Sequence, residues 1–161
     1  MAVIVICGPP GVGKTTIATR VRDRLAERDV PVRLYHSDDF SSRTYEQLAE
    51  QAGSAPVAGV TLVDGTFYRR QWQTQFRALG DVRFVHVTAS LETCLERNRR
   101  RDDSISEQGV HVVYREFEAP DADLEIDTDR CEPVTAAERI VTAIETWGEH
   151  NAEPPVDSMR H

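Results

Sequence analysis

The chain has 161 residues and a formal net charge of −8, enough for one domain with a substantial core and too short for two ordinary ones. Hydrophobic residues make up 40% and charged residues 29%, which are globular proportions, and no apolar run approaches the roughly 20 residues that span a bilayer. The acidic balance argues against a surface built wholly to adhere to nucleic acid.

The start, MAVIVICGPP, carries no basic region and reads as a buried strand instead of a signal peptide. Cys7, Cys94 and Cys131 are odd in number, far apart and without metal-type spacing, which fits a reducing compartment, so a cytoplasmic location is expected. Cys7 and Cys94 are expected in the core.

Residues 2–7, AVIVIC, form a continuous apolar run ending in Gly-Pro-Pro-Gly, as in a strand buried on both faces of a parallel sheet. Beyond the glycines, Ile17, Ala18, Val21 and Leu25 recur at helical spacing, and the pattern stops near Asp29, Val30 and Pro31. Val32–His36 reads as a second strand, with Ser37-Asp38-Asp39-Phe40 at its carboxyl end. A polar segment holds a short helix around Thr44–Gln51 and leads to a third strand, Val60–Val63, closed by Asp64 and Gly65. Residues 69–79 suit a helix, Val82–Val87 a fourth strand, and Leu91, Cys94 and Leu95 mark one face of the next helix. After Arg97-Asn98-Arg99-Arg100-Arg101 a helix resumes near Ser106 and runs to Phe117. Leu124–Asp127 is a short fifth strand, and Ala137, Ile140, Val141 and Ile144 define a closing amphipathic helix. The expected domain spans 1–148, with 149–161 as a flexible tail. Strands alternating with helices imply an α/β fold, a parallel sheet covered on both sides with ligands at the carboxyl ends of its strands.

Gly8-Pro9-Pro10-Gly11-Val12-Gly13-Lys14-Thr15 matches the phosphate-binding loop G-x-x-x-x-G-K-S/T without a gap. Of the 19 basic residues, Lys14 is the only lysine. In such a loop the glycines, Gly8 among them, let the backbone turn its N–H groups and those of the new helix toward a nucleotide's phosphates, while Pro9 and Pro10, which have no N–H, contribute only their shape. Lys14 bridges the β and γ phosphates, Thr15 offers its hydroxyl to Mg²⁺, and Gly11, Val12 and Thr16 complete the cradle.

Three further groups stand at strand ends. Asp38 is a candidate general base for an acceptor hydroxyl, and Asp38 or Asp39 is alternatively a helix N-cap. Asp64 is placed to support Mg²⁺ together with Thr15 and Asp38, or else is a solvated strand-end carboxylate. The arginine run supplies candidate phosphate contacts, Arg97 and Arg101 lying four apart on one helical face, although arginines also suit a helix carboxyl terminus. Four guanidiniums in five residues repel one another unless an anion is shared.

These residues resemble the small P-loop kinases, and within them the kinase that phosphorylates seryl-tRNA(Sec) and its relative the Kti12 family. The likeness rests on the phosphate loop, Ser37-Asp38, Val63-Asp64-x-Thr66-x-Tyr68, Arg97-Asn98 with Arg101, and Phe117-Glu118-Ala119-Pro120 followed by Ile126-Asp127-Thr128. Similarity to adenylylsulfate kinases lies mainly in the last two stretches, and to polynucleotide kinases in overall plan. The resemblance implies a three-layer P-loop NTPase of the kinase type, strand order 2-3-1-4-5, with a lid around 97–109. It implies ATP and Mg²⁺ as cofactors, Asp38 as base and Arg97 and Arg101 in the lid. Transfer of the γ-phosphate to a hydroxyl of a small molecule, nucleotide or RNA is the implied activity. Acceptor contacts are expected from Asp39, Arg43, Asp64, Tyr68, Arg69 and Arg70. The chain has Gly65 and Phe67 where the tRNA kinase has an acidic residue and an asparagine, and it lacks that enzyme's carboxyl-terminal RNA-binding domain. A tRNA acceptor is therefore not expected to carry over. Two alternatives are an adenylylsulfate kinase-like enzyme and a Kti12-like ATPase that works as a nucleotide-switched partner module.

Overall fold

The structure, a computed structural model, describes residues 2–36, 59–67, 69–100 and 106–152. The expected helix around Thr44–Gln51 falls outside them, as do Asp38, Asp39, Arg43, Tyr68 and Arg101. In chain order the elements are β1 (Ala2–Cys7), α1 (Lys14–Glu27), β2 (Val32–His36), β3 (Val60–Gly65), α2 (Arg70–Arg77), β4 (Val82–Thr88), α3 (Leu91–Arg99), α4 (Glu107–Glu116), β5 (Leu124–Asp127) and α5 (Pro133–Ala152).

The strands form one parallel sheet in the order β2-β3-β1-β4-β5, as the resemblance implied. β1 lies at the centre because its apolar run has a partner for each face. Ile4 and Ile6 join Leu62, Val85 and Val87 beneath Ile17, Val21 and Leu25 of α1 and Ile140 and Val141 of α5. Val3, Val5 and Cys7 face the other way, toward Val63, Phe67, Phe84 and the Phe76 ring of α2. Alternation along a strand thus produces the three layers. Cys7 and Cys94 are both buried, and burial pushes the Cys7 thiol up to about 12, opposed first by the charge of Lys14.

β3 is buried at every position and runs two residues further than its apolar stretch, taking in Asp64 and Gly65. It leaves the sheet through Phe67, a non-glycine residue held at φ 48°. That conformation costs on the order of 1 kcal/mol. The ring offsets it, being fully buried and set edge-on against Phe76 at 4.8 Å and Phe84 at 6.3 Å. Gln73 Nε2 donates to the Phe67 carbonyl at 3.0 Å and to that of Glu118 at 2.6 Å. The exit of β3 is therefore fixed from both sides.

His86 on β4 is 8% exposed, stacks on Phe117 with ring centroids 5.2 Å apart, and its Nδ1 has no hydrogen-bond partner among the described residues. Burial lowers its pKa below the ordinary 6.5, and Glu125 opposes the shift. The native state holds this imidazole neutral, so the stability it leaves intact above pH 6.5 is lost as pH falls through the lower, folded-state pKa. In urea titrations from pH 7.5 to 5, the wild-type midpoint should drop more steeply on the acid side than that of His86→Leu. Parallel curves would show that His86 is not held neutral.

Candidate functional site

The site grows from the end of β1. Strand order reverses there, with β3 on one side and β4 on the other, which is where an open parallel sheet leaves a crevice. Residues 8–13 leave β1 and turn into α1. Gly13 precedes the helix at φ 94°, left-handed backbone that suits glycine, and α1 has neither a side-chain cap nor an acidic residue in its first turn. The contrast with its neighbours is informative. α3 and α4 are capped by Ser90 and Ser106 and carry Glu92 and Glu107 in their first turns. Of these three helices only α1 has neither a side-chain cap on its first N–H groups nor an acidic residue at its positive dipole end.

The loop is clamped from behind. At Gly11, φ is +87° and an added Cβ would sit 2.4 Å from the carbonyl oxygen of Cys94, so backbone packs directly on backbone. Arg97 Nη1 donates to the carbonyls of Gly11 at 3.4 Å and Val12 at 3.1 Å and to Thr128 Oγ1 at 2.9 Å, while Nη2 reaches the Thr128 carbonyl at 3.3 Å. Thr128 in turn donates through its N–H and its hydroxyl to the Thr88 carbonyl, at 2.8 and 3.1 Å. Carbonyls drawn to the guanidinium leave the same peptides' N–H groups on the opposite side. Val12 plugs into the core with no exposed surface. Lys14 Nζ donates to the Pro9 carbonyl at 3.0 Å within the loop, and Thr15 and Thr16 stand exposed on the first turn of α1.

Asp64 lies on the neighbouring strand, in register with Ile6 on one side and His36 on the other. It is buried and hydrogen-bonded to Nδ1 of His36. Arg69 and Arg70 open α2 and are exposed; the Arg70 N–H donates to Glu118 Oε1 at 3.1 Å and its Nη2 to the Ala119 carbonyl at 3.4 Å. The structure thus brings the loop, Lys14, Thr15, Asp64 and Arg97 to one end of the sheet. Asp38, Asp39, Arg43, Tyr68 and Arg101 lie outside the described residues.

Among the described residues of the arginine run, each guanidinium has a partner within the chain. Arg99 Nε donates to Glu107 at 2.6 Å, Arg100 to Glu96 at 2.6 Å, and Arg97 turns to the loop carbonyls. The sequence marked His36 only as the last residue of a strand and Thr128 only as part of the Ile126-Asp127-Thr128 stretch, and it gave Asp129 no specific role. Asp129 accepts from Thr93 Oγ1 at 2.6 Å and the Ser90 N–H at 2.7 Å, and these bonds, Thr93 first, hold its carboxyl below the usual range. The polar Ser-x-x-Thr start of α3 was the available signal for the last of these.

A glycine loop between the central strand and the first helix, at the switch point of a 2-3-1-4-5 sheet, defines a P-loop NTPase fold of the kinase type. Residues 3–126 match the AAA_33 family, an AAA domain, and the chain belongs to that family. No curated protein matches it as a relative. Among solved structures it is similar to the Mycobacterium tuberculosis APS kinase CysC in complex with AMPPNP and APS, at 19% identity and TM-score 0.70, over 89% of this chain and 97% of that one. Kti12 of Chaetomium thermophilum in complex with ADP-AlF3 gives 16% identity and TM-score 0.70, over 89% of this chain and 97% of that one. A gluconokinase from Sinorhizobium meliloti 1021 gives 14% identity and TM-score 0.68, over 91% of this chain and 97% of that one. Likeness at these identities is likeness of fold. No described helix is long and apolar enough to cross a membrane.

The clamp predicts a specific weakness. A lysine at position 97 carries a compact ammonium in place of the planar fork and cannot hold Gly11, Val12 and Thr128 together. In Arg97→Lys, amide hydrogen exchange at residues 11–13 should accelerate about tenfold, the equivalent of losing about 1.4 kcal/mol of local protection, while exchange in the core strands stays unchanged. Unaltered exchange at 11–13 would show that the guanidinium does not hold the loop.

Proposed function

We propose that the chain is an ATP-dependent phosphotransferase that moves the γ-phosphate of ATP to a hydroxyl group. The observation that carries this reading is the uncapped, clamped glycine loop with Lys14, set beside the buried carboxylate of Asp64. The loop's N–H groups and Lys14 bind the phosphates and stabilise the charge that develops as the γ-phosphoryl group moves. Thr15 and Asp64 supply hard oxygen donors, the set that suits Mg²⁺, with Asp38 as a further donor. When bound, the ion neutralises charge on the β and γ phosphates.

Asp38 follows β2 by two residues and is assigned as the base. Its carboxylate takes the proton of the acceptor hydroxyl as that oxygen bonds to the γ-phosphorus, the bond from phosphorus to the β–γ bridging oxygen breaks, and ADP leaves. Arg97 and Arg101 belong to the lid around 97–109. Arg97 acts from behind the loop. Asp39, Arg43, Tyr68, Arg69 and Arg70 are the acceptor-side residues in this reading, on a domain covering 1–148 with 149–161 as its tail. The enzyme is placed in the cytoplasm.

An adenylylsulfate kinase-like activity is one case of this reaction. The Kti12 likeness supports a second reading, an ATPase that switches a partner. The two separate in a ³¹P NMR assay of ATP and Mg²⁺ with pooled adenylylsulfate, nucleosides, sugars and total RNA. ADP together with a new phosphomonoester is expected, slowed about 10²–10³-fold by Lys14→Ala and about 10²–10⁴-fold by Asp38→Asn. ADP with inorganic phosphate alone, indifferent to every acceptor and to Asp38→Asn, would replace the kinase by the ATPase.

A further inference from the structure

We infer that His36 is a positioning residue for Asp64, aiming that carboxylate at the divalent metal that accompanies the nucleotide. The inference rests on the proposed function and adds a residue from outside the P-loop motif.

The two residues are direct neighbours across the β2–β3 pair, His36 at the last position of its strand. Leu34 and Leu62, two residues back on each strand, belong to the core under α1. Alternation therefore puts His36 and Asp64 on that same face, the side on which α1 begins with Lys14 and Thr15. Side-chain exposure is 5% for Asp64 and 26% for His36, so the carboxylate is enclosed while the imidazole reaches the crevice edge.

A carboxylate taken out of water needs partners, and the direction of those partners fixes the plane of its two oxygens. Nδ1 of His36 holds Oδ2 of Asp64. An aspartate side chain has two rotatable bonds, and with the strand backbone fixed by pairing on both sides this hydrogen bond restrains the second torsion from the Oδ2 side. The orientation of Oδ1 is restrained with it. Partners of this kind usually account for about 10–100-fold in metal affinity when removed.

The identity of the nitrogen gives the idea a sharp test. Nδ1 is attached to Cγ, so the amide nitrogen of asparagine occupies the same place, whereas that of glutamine lies one bond further out. The experiment is calorimetric titration of the full chain with AMPPNP, once in EDTA and once with saturating Mg²⁺. The ratio of the two affinities is the metal coupling and requires no turnover. His36→Ala and His36→Gln should each lose about tenfold of that ratio, and His36→Asn should keep it within about threefold. Metal-free affinity should stay at the wild-type value in all three.

Full metal enhancement in His36→Ala overturns the inference and leaves the proposed function standing. Equal losses in Asn and Gln, or a fall in metal-free affinity as large as the fall with Mg²⁺, make the role purely structural and overturn it too. So does a wild type with no Mg²⁺ enhancement. If His36→Ala does not fold, the Asn and Gln pair decides. Wild-type protein that binds no AMPPNP under either condition overturns the proposed function itself.

Discussion

The site depends on holding one short stretch of backbone open. Residues 8–13 carry no polar side chain, so the loop's shape depends heavily on what lies behind it. Two contacts supply that support. Gly11 sits directly on the Cys94 carbonyl, with no room for a Cβ, and the Arg97 guanidinium gathers the carbonyls of Gly11 and Val12 onto Thr128. A backbone whose acceptors are satisfied on one side presents donors on the other, without cost when an anion arrives. The loop is thus pre-organised by α3 and the β5 exit.

The same logic governs charge. The chain is acidic, with 27 acidic residues against 19 basic, and an anionic ligand must be drawn to a locally positive spot. The lone lysine, the uncapped end of α1 and the Arg97 guanidinium converge there, while the neighbouring arginines are spent on Glu96 and Glu107. The opposite sheet face is organised by aromatic packing instead. Phe67 accepts an unfavourable φ because Phe76 and Phe84 enclose its ring, and the segment from Glu118 to Asp121 is tied to α2 by Arg70, Gln73 and Arg77. That division leaves the α1 face for phosphate chemistry.

Much of the architecture was legible because local pattern and global role agree. β1, β2 and β5 begin and end where their apolar runs meet turn residues, and the stripe Ile17, Ala18, Val21 and Leu25 is the buried face of α1. β3 was read two residues short. Asp64 and Gly65 resemble a turn locally, and only pairing with β1 and β2 extends the strand through them. The glycine loop was legible as a motif, whereas the clamp was not. Arg97 bonds mainly to carbonyl oxygens, which every residue has and no sequence pattern marks. These backbone contacts are a role that the expected phosphate contact did not include. Likewise His36 and Asp64 are 28 positions apart, and only the strand order makes them neighbours.

The central claim is that the loop at the end of β1 recognises the β and γ phosphates of a nucleotide. Isothermal titration of the wild-type chain with ATP, ADP and AMP in Mg²⁺ addresses it most directly. The account predicts binding of ATP and ADP, at least about 1.4 kcal/mol, or tenfold, weaker binding of AMP, and loss of that difference in Lys14→Ala. Equal affinity for AMP and ATP, or a preference that survives Lys14→Ala, would contradict it.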